Sequence, residues 1–369
     1  MDFFFLATAL GLLIWIIVIL LPYRPYGVKE SLDAETVKGC ISDVTVLIPA
    51  RNEELTIKKT LSSLKNQSKT IKVILVDDES TDNTVKNAKK VGLDSLLILP
   101  GSKLPAGWSG KLWALEQGRK HVETRFLVLL DADIVLKPNL IKKILLEAKK
   151  KNINLLSLMA HPRMVSFWEK LLMPAYIFFF KFLYPFSLSN STNSKIAAAA
   201  GGCILLETKI LNEIGGFGSI KNALIDDCTL AKKVKQNGYK TWIGLTNSVI
   251  SIREYNKLSE ISQLITRTAY TQLRHSPILL FICSLVMGIL FLVPLVAISQ
   301  KESLMLMGLI MIFIQVICYL PTLKYYSMNP IYALSLSFVG ILYMLFTLHS
   351  GFNYYFKKGA LWKKRYYKY

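Results

Sequence analysis

The stretch Val128-Leu129-Leu130-Asp131-Ala132-Asp133 decides the fold prediction, because it is an apolar run that ends in two carboxylates separated by one residue. A short apolar run bounded by polar residues is typical of a fully buried strand, and open α/β sheets bind their ligands at the carboxyl ends of strands. For an isolated Asp-x-Asp, a turn in which aspartate accepts backbone hydrogen bonds is the simpler interpretation. The motifs elsewhere in the chain favour a binding site.

The composition indicates a membrane protein. The chain has 369 residues, 52% of them hydrophobic, and its mean hydropathy is +0.37, which is too apolar for an ordinary soluble protein. Four uncharged stretches are about long enough to cross a bilayer, namely residues 3–21, 278–299, 304–320 and 331–350. We therefore predict four regions: an N-terminal anchor (1–22), a globular domain (40–275), C-terminal transmembrane segments (278–350) and a basic aromatic tail (351–369).

The charges that flank the first span predict its orientation. Asp2 precedes the span, whereas Arg24, Lys29 and Lys38 follow it, so the positive-inside tendency places the globular domain in the cytoplasm, at the inner (cell) membrane. The span lacks a basic n-region and a small-residue cleavage site, which favours an uncleaved anchor over a signal peptide. With three C-terminal crossings, the basic tail from Lys357 onward would lie outside. Either one C-terminal segment is re-entrant or in-plane, or the charge rule fails here.

The charge and the cysteines exclude two other classes of protein. The formal net charge is +20. In a membrane-anchored chain, attraction to anionic lipid is a simpler explanation of this charge than binding to nucleic acid, so we do not expect nucleic acid as a partner. The five cysteines are odd in number and contain no Cys-x-x-Cys spacing. The sequence therefore indicates neither a disulfide framework nor a zinc site.

Two strand–acidic-loop–helix units open the globular domain. Residues 44–49 read as a buried strand followed by Ala50-Arg51-Asn52-Glu53-Glu54, and residues 72–76 read as a strand followed by the polar loop 77–84. Two such units in succession predict a parallel sheet with a nucleotide-sized crevice. In the second loop, Asp77 and Asp78 are placed to accept hydrogen bonds from a base or ribose, whereas Asp82 and the hydroxyl residues are better explained as helix caps.

A glycine-flexed loop follows, with the sequence Gly107-Trp108-Ser109-Gly110-Lys111-Leu112-Trp113-Ala114. It is not a Walker A motif, because Pro105 stands where a glycine is needed and Leu112 where serine or threonine is needed. The loop places Lys111 at a helix start, which suits a diphosphate. A surface lysine beside a buried Trp113 is the alternative.

The paired aspartates suggest a cation. Asp131 and Asp133 lie on one edge of a strand end, so both can face one Mg²⁺ or Mn²⁺, ions that bridge substrate phosphates to one or two protein carboxylates.

Residues 168–189 are apolar but are broken by Pro174, Lys181 and Pro185. This segment is therefore unsuited to span a membrane. Two interpretations agree with its sequence, namely interfacial helices at 165–190 or an ordinary buried helix.

Small residues and a second acidic pair complete the pattern. Residues 197–206 run from alanines through Gly201-Gly202 into a strand, where backbone can approach a ligand closely. Asp226-Asp227 opens a helix that ends at Asn237-Gly238. The helix dipole explains one acid at this position, which leaves the other available for chemistry.

Four of these motifs, in this order, resemble those of the inverting family 2 glycosyltransferases, which have a GT-A fold. Residues 49–54, residues 76–82, Asp131-Ala132-Asp133 and Asp226-Asp227 look like that family's base-binding, second nucleotide-binding, metal-binding and general-base motifs. The stretch 107–114 and the Arg267-Thr268-Ala269-Tyr270-x-Gln272-Leu273 stretch look most like the hopanoid-biosynthesis-associated branch. That branch is similar to ceramide glucosyltransferases and carotenoid-acid glycosyltransferases. The resemblance covers about residues 40–275, the membrane layout and Gly359-x-Leu361-Trp362-Lys363 in the tail.

Two departures from the family pattern bear on function. The Gln-x-x-Arg-Trp signature is absent, because Leu264 and Thr268 flank Arg267 where its Gln and Trp would stand. Processive polysaccharide synthases commonly carry that signature, so its loss speaks against polymer extension. The acidic pair is Asp-Asp where Glu-Asp is usual, which substitutes Asp226 but keeps Asp227 at the base position.

The resemblance implies an α/β GT-A domain with a mostly parallel, Rossmann-like sheet, one N-terminal transmembrane helix and about three C-terminal ones. It further implies transfer of one sugar from a UDP-sugar to a lipid hydroxyl, with Asp227 as base and Mg²⁺ or Mn²⁺ on Asp131 and Asp133. The remaining residues implied to bind the donor are Pro49, Ala50, Arg51, Glu53, Asp78, Lys111, Gly202, Asp226 and Arg267.

Two enzyme alternatives stay open, a polyprenyl-phosphate glycosyltransferase and a polysaccharide synthase. The non-enzyme alternative is a nucleotide-binding membrane scaffold or transporter subunit. A transporter would carry ionisable residues inside its spans, and the C-terminal spans contain essentially none.

Overall fold

The computed structural model describes residues 3–356, 360–362 and 365–367, and the chain divides into two compact units. The sheet unit comprises residues 30–163 and 186–254, and the helical unit comprises the residues up to 29, residues 164–185 and the residues from 255 onward. Residues 164–185 thus cluster with the helical unit, although the sequence analysis places them inside the globular domain. The tail residues Lys357, Lys358, Gly359, Lys363, Lys364 and Lys368 lie outside the described residues.

An eight-stranded sheet forms the centre of the sheet unit. Its order is β3-β2-β1-β4-β7-β6-β8-β5. The strands are β1 (Val44–Ala50), β2 (Lys72–Asp77), β3 (Leu96–Pro100), β4 (Phe126–Leu130), β5 (Ile134–Leu136), β6 (Leu155–His161), β7 (Cys203–Glu207) and β8 (Thr241–Ser251). A separate antiparallel hairpin pairs β9 (Ala360–Trp362) with β10 (Arg365–Tyr367).

The sheet is mixed rather than uniformly parallel. Strands β3, β2, β1 and β4 are parallel neighbours, as are β6 and β8. Strand β7 runs antiparallel to both β4 and β6, and β5 runs antiparallel to β8. Because β7 reverses direction between β4 and β6, the start of β7 lies at the edge where those two strands end.

The α-helices are numbered along the chain. Some of them cover the sheet, and the others form the helical unit. They are α1 (Phe3–Leu20), α2 (Ile57–Lys65), α3 (Thr84–Lys89), α4 (Gly110–Arg119), α5 (Leu140–Lys151), α6 (Phe167–Leu183), α7 (Phe186–Asn190), α8 (Thr208–Glu213), α9 (Asp226–Gln236), α10 (Leu258–Thr266), α11 (Ala269–Gln272), α12 (Pro277–Met287), α13 (Val293–Ala297), α14 (Glu302–Tyr325) and α15 (Leu336–Phe356).

Side chains from alternate positions of the strands build two cores, one on each face of the sheet. In β1, Val46 and Ile48 pack against α2, α3 and α5, whereas Leu47 packs on the opposite face against α4, α8 and α9. This follows from the two-residue period of a strand, which sends neighbouring side chains to opposite faces. Strands buried on both faces read as continuous apolar runs, which is why β1, β2 and β4 are predictable from the sequence.

A short N-terminal segment is hydrogen-bonded to β8. Leu245 in the middle of β8 donates its backbone N–H to Glu30 O and accepts one from Leu32. Asp33 Oδ1 accepts hydrogen bonds from the backbone N–H of Asn247 at 2.6 Å and the hydroxyl of Thr246 at 2.8 Å. These bonds satisfy polar groups in the part of β8 where its register with β6 is interrupted, between Leu245 and Ile250.

Four helical segments of the helical unit are long and apolar enough to cross a membrane. They are Phe3–Leu20, Pro277–Ala297, Glu302–Tyr325 and Pro330–Phe356, in good agreement with the four predicted stretches. Helix α6 is interrupted by Pro174 and begins with a capping box between Ser166 and Glu169. Its position as an interfacial helix remains a prediction.

Polar side chains join the candidate membrane helices at a π-helical turn, Gly288–Leu292. The carbonyl of Leu290 accepts hydrogen bonds from Trp15 Nε1 at 3.2 Å and from Gln315 Nε2 at 3.0 Å. Ser337 then donates its hydroxyl to Gln315 Oε1 at 2.7 Å. A π-turn leaves backbone carbonyls available for such partners, and buried polar groups of this kind are destabilising when unpaired.

Close packing in this bundle requires glycine at position 340. A Cβ added there would lie 2.2 Å from Cγ of the buried Phe291 ring. We expect Gly340→Ala to destabilise the protein by about 1–3 kcal/mol, because the ring must move in a packed core. The measurement is the thermal unfolding midpoint in detergent. Gly288→Ala is the control, since its nearest neighbour is Met344 Sδ at 4.0 Å, and equal midpoints for both variants would contradict the packing argument.

Candidate functional site

The topology collects polar loops at one edge of the sheet. Strands β1, β2 and β4 are parallel and end there, and Cys203 at the start of β7 pairs with Leu130 at the end of β4. The end of β8 lies at the same edge, because Ile252 donates its backbone N–H to Asp133 O at 2.9 Å. The predicted residues that lie at or next to these strand ends are Pro49, Ala50, Arg51, Glu53, Asp78, Asp131, Asp133 and Gly202. Asp226 and Asp227 open α9, and Asp227 reaches the start of β7 by accepting the Gly201 N–H.

The loops after β1 and β2 are locked together by their side chains. Arg51 Nη1 donates to Asp78 O at 2.5 Å, Thr81 donates its N–H to Asn52 Oδ1 at 2.8 Å, and Glu53 donates its N–H to Thr84 Oγ1 at 2.7 Å. Asp82 Oδ1 accepts the Thr84 N–H at 2.9 Å from the position before Asn83, which is the N-terminal cap residue of α3. These contacts give most of the polar residues in both motifs a structural role and leave Asp78 buried at the strand end.

Lys111 binds two carboxylates. Ser109 caps α4 and so fixes Lys111 in the first helical turn. The Lys111 Nζ atom lies 2.9 Å from Asp131 Oδ1 and 3.3 Å from Asp226 Oδ2. Burial alone would lower the pKa of Lys111, but Asp131, Asp226 and Asp227 outweigh it and raise that pKa. Lys111 is therefore a permanent cation in the centre of this acidic group.

Asp227 has the environment of a base. Its Oδ2 accepts the Gly201 N–H at 2.8 Å and its Oδ1 accepts the Cys228 N–H at 2.7 Å. Burial, reinforced by the negative charge of Asp226, raises the pKa of Asp227 to about 6, although Lys111 and the two backbone donors act in the opposite direction. The pocket beside it also contains Lys111 and Asp131.

Gly201, rather than Gly202, is the glycine that faces the acids. A Cβ at Gly201 would lie 3.1 Å from Lys111 Nζ and 3.3 Å from Asp227 Oδ2. At Gly202 the nearest atoms would be Ala160 Cβ and the Ile134 side chain. The side of Gly202 on which a Cβ would project is packed against apolar neighbours, and its role in binding the donor stays a prediction.

Arg253 is the site residue that the sequence analysis missed. It follows β8, and its guanidinium donates from Nε to Asp133 Oδ2 at 2.5 Å and from Nη2 to Glu53 Oε1 at 2.7 Å. One sequence signal could have identified it: a basic residue that directly follows an apolar, β-branched run. Such a run predicts a strand, and the other predicted site residues also follow the ends of strands. The sequence analysis does not predict strand β8 and therefore gives no strand end near Arg253.

The carboxylates at the end of β4 suit a magnesium-type ion. Asp131 and Asp133 supply hard oxygen donors. Burial raises the pKa of Asp131, Lys111 acts in the opposite direction, and the negative charge of Asp133 adds to the rise. Among the described residues, no group of three His, Cys, Asp or Glu side chains could hold a metal ion by itself. Two carboxylates without a full protein cage are the ligand set that Mg²⁺ and Mn²⁺ use when substrate phosphates complete the coordination.

Arg267 is the predicted site residue that lies in the other unit. It caps the end of α10 in the helical unit, whereas the other predicted site residues belong to the sheet unit. Its contact with a diphosphate stays a prediction.

Residues 45–215 match the family model described as Glycosyl transferase family 2. A 4,4'-diaponeurosporenoate glycosyltransferase of Staphylococcus haemolyticus (strain JCSC1435) is 32% identical over 106 residues, and the enzyme of the same name from Staphylococcus aureus (strain USA300) is 33% identical over 106 residues. Each alignment covers 29% of this chain and 28% of the relative, so the chain spans less than a third of the length of these curated relatives.

A solved structure confirms the fold. The mannosyltransferase PcManGT from Pyrobaculum calidifontis, in complex with GDP-Man and Mn²⁺, superposes with a TM-score of 0.53 over 95% of both chains at 15% identity. The fold is thus a mixed α/β, GT-A-like sheet domain accompanied by apolar helices that are long enough to span a membrane.

Lys111 should be required for stability as well as for the site. We expect Lys111→Met to destabilise the protein by about 1–2 kcal/mol at pH 7.5, because Asp131 and Asp226 lose their shared cation while remaining only partly exposed. The loss should shrink at pH 5, where Asp227, with a pKa of about 6, is protonated and the repulsion is relieved. Thermal unfolding at both pH values measures this. The control is Lys120→Met, which changes the exposed C-terminal cap residue of the same helix, and a pH-independent loss would contradict the charge argument.

Proposed function

We propose that this protein is a membrane-bound inverting glycosyltransferase that moves a single sugar from a UDP-sugar to the hydroxyl of a membrane lipid, on the cytoplasmic face of the cell membrane. The observation that carries the proposal is the placement of Asp227, a partly buried carboxylate with a raised pKa, in the same pocket as Lys111 and Asp131. A base beside a diphosphate site is the arrangement that sugar transfer with inversion requires. The match of residues 45–215 to the family 2 model supports the same activity.

On the donor side, Asp78 and Glu53 would bind the uridine, with Pro49, Ala50 and Arg51 shaping the pocket. Asp131 and Asp133 would hold Mg²⁺ or Mn²⁺, which supplies charge neutralisation for the leaving diphosphate. The presence of Mn²⁺ and GDP-Man in the PcManGT structure supports a divalent cation and a nucleotide sugar. Lys111 adds a fixed positive charge next to Asp131, where it would also contact the diphosphate of the donor.

On the acceptor side, Asp227 would take the proton of the attacking hydroxyl. With a pKa of about 6, its carboxylate is ionised at neutral pH and is a stronger base than an ordinary aspartate. The Gly201 and Cys228 N–H groups orient both carboxylate oxygens. The acceptor oxygen then attacks the anomeric carbon from the face opposite the diphosphate, which inverts the configuration.

The charges around Asp227 favour a hydroxyl over a phosphate as the acceptor. Asp131, Asp226 and Asp227 surround Lys111, so an acceptor phosphate would add negative charge to an already acidic group. A phosphate nucleophile is also ionised at neutral pH and would not require a base. The four membrane-capable helices support a lipid acceptor, which such a chain meets in the bilayer.

Sugar transfer into lipid tests the proposal. Membranes that contain the protein are incubated with a panel of radiolabelled UDP-sugars, and we expect label in a lipid product that resists mild acid, as a glycoside does and a glycosyl phosphate does not. Asp227→Asn should reduce turnover by about 10²–10⁴-fold, the usual contribution of a general base. Asp94→Asn, which changes an exposed aspartate elsewhere on the sheet unit, should leave turnover unchanged. Equal turnover in both variants would remove Asp227 from the mechanism, and an acid-labile product would identify a phosphate acceptor.

The pH dependence provides a second test. Because Asp227 must be ionised to accept a proton, kcat/KM should fall as pH decreases through about 6, by tenfold per pH unit below it. An ordinary aspartate would keep its activity to about pH 4. Initial rates between pH 4.5 and 8 measure the profile, and an acid limb near pH 4 would show that Asp227 is not the group that titrates.

A further inference from the structure

We propose that Arg253 is a positioning residue, which holds the carboxylates of Glu53 and Asp133 in the orientation that the donor nucleotide and its cation need. The inference rests on the proposed function for its ligands. It assigns a role to a residue that lies 200 positions from Glu53 and 120 positions from Asp133 in the chain.

The contacts of Arg253 divide its guanidinium between two acids. Nε lies 2.5 Å from Asp133 Oδ2 and Nη2 lies 2.7 Å from Glu53 Oε1. Only 11% of the Asp133 side chain and 9% of the Glu53 side chain are exposed, whereas 33% of the Arg253 side chain is. One partly exposed cation therefore serves two buried anions, one after β1 and one after β4.

The electrostatics of this triad make Arg253 necessary for both acids. Two buried carboxylates that share a site repel one another, and removal of the cation between them leaves buried negative charge without its counterion. The planar fork of arginine can donate to both acids at once, whereas a lysine offers a single point charge. Arg253 thereby fixes the orientation of the Asp133 carboxylate at the end of β4.

The backbone around the two acids is fixed independently of the guanidinium. The Glu53 N–H donates to Thr84 Oγ1, and Glu53 Oε2 accepts the Thr56 hydroxyl at 3.0 Å. The carbonyl of Asp133 accepts the Ile252 N–H, and Asp131 donates its N–H to Gly202 O. Removal of the Arg253 side chain should therefore disturb carboxylate orientation more than loop position, and this separates positioning from a general role in folding.

The experiment measures how strongly the cation and the nucleotide support each other's binding. The full-length protein in lipid nanodiscs is titrated with UDP, once with saturating Mn²⁺ and once with EDTA, and the ratio of the two dissociation constants is the coupling. For Arg253→Met we expect the coupling to fall by about 10–100-fold, the range found when the residues that orient metal-binding side chains are replaced. Arg253→Lys should restore part of it, because the charge returns without the fork.

Arg125→Met is the matched control. Arg125 pairs with Glu207 at 3.7 Å, its side chain is 63% exposed, and it lies directly before β4, at the opposite end of that strand from Asp133. Its replacement removes an arginine–carboxylate pair of the sheet unit without touching the site, so the coupling should stay at the wild-type value. In an Asp133→Asn background, adding Arg253→Met should change the coupling less than twofold, because Arg253 acts on the cation through Asp133.

The outcomes separate this inference from the proposed function. Wild-type coupling in Arg253→Met overturns the positioning role, and stronger coupling overturns it too, since the guanidinium would then compete with the cation. If the wild-type protein binds UDP equally well in Mn²⁺ and EDTA, the cation site itself is wrong. If it does not bind UDP, the donor assignment is wrong. Should Arg253→Met fail to fold, Arg253→Lys provides the measurement, and an unchanged coupling in that variant overturns the inference.

Discussion

The site depends on placing many negative charges at one edge of the sheet and neutralising them from other parts of the chain. Asp131, Asp226 and Asp227 meet Lys111 from α4, and Glu53 with Asp133 meets Arg253 from the end of β8. Buried carboxylates are tolerated only with such partners. The fold is therefore organised so that helices and strands distant in sequence deliver cations to the strand ends that deliver acids.

The parts of the fold that a sequence predicts well are those with a local cause. Strands β1, β2 and β4 are buried on both faces, so each is a continuous apolar run, and the membrane-capable helices are recognisable by length alone. Strand β8 is different. Its apolar pattern is broken by Thr246, Asn247 and Ser248, whose polar groups are satisfied by Asp33, more than 200 residues earlier in the chain. A strand that depends on so distant a partner has no clear local signature.

The same distinction applies to the candidate site. Acidic residues that directly follow a strand or open a helix could be identified, and Asp131, Asp133 and Asp227 lie at such positions. The counterion of Asp133 could not be found this way, because Arg253 reaches it only through the pairing of β8 with β5 and β6. The choice between Gly201 and Gly202 likewise depended on which of two adjacent residues faces the acids, and composition carries no information on that.

The hydrogen bonds of Trp15 have a consequence for biosynthesis. Trp15 lies in α1, and the acceptor of its indole N–H is the carbonyl of Leu290, 275 residues further along the chain, which also binds Gln315. The indole therefore meets this acceptor only after the polypeptide has been synthesised as far as Leu290. An unrelated apolar helix exchanged for α1 would leave the Leu290 carbonyl without one of its two donors.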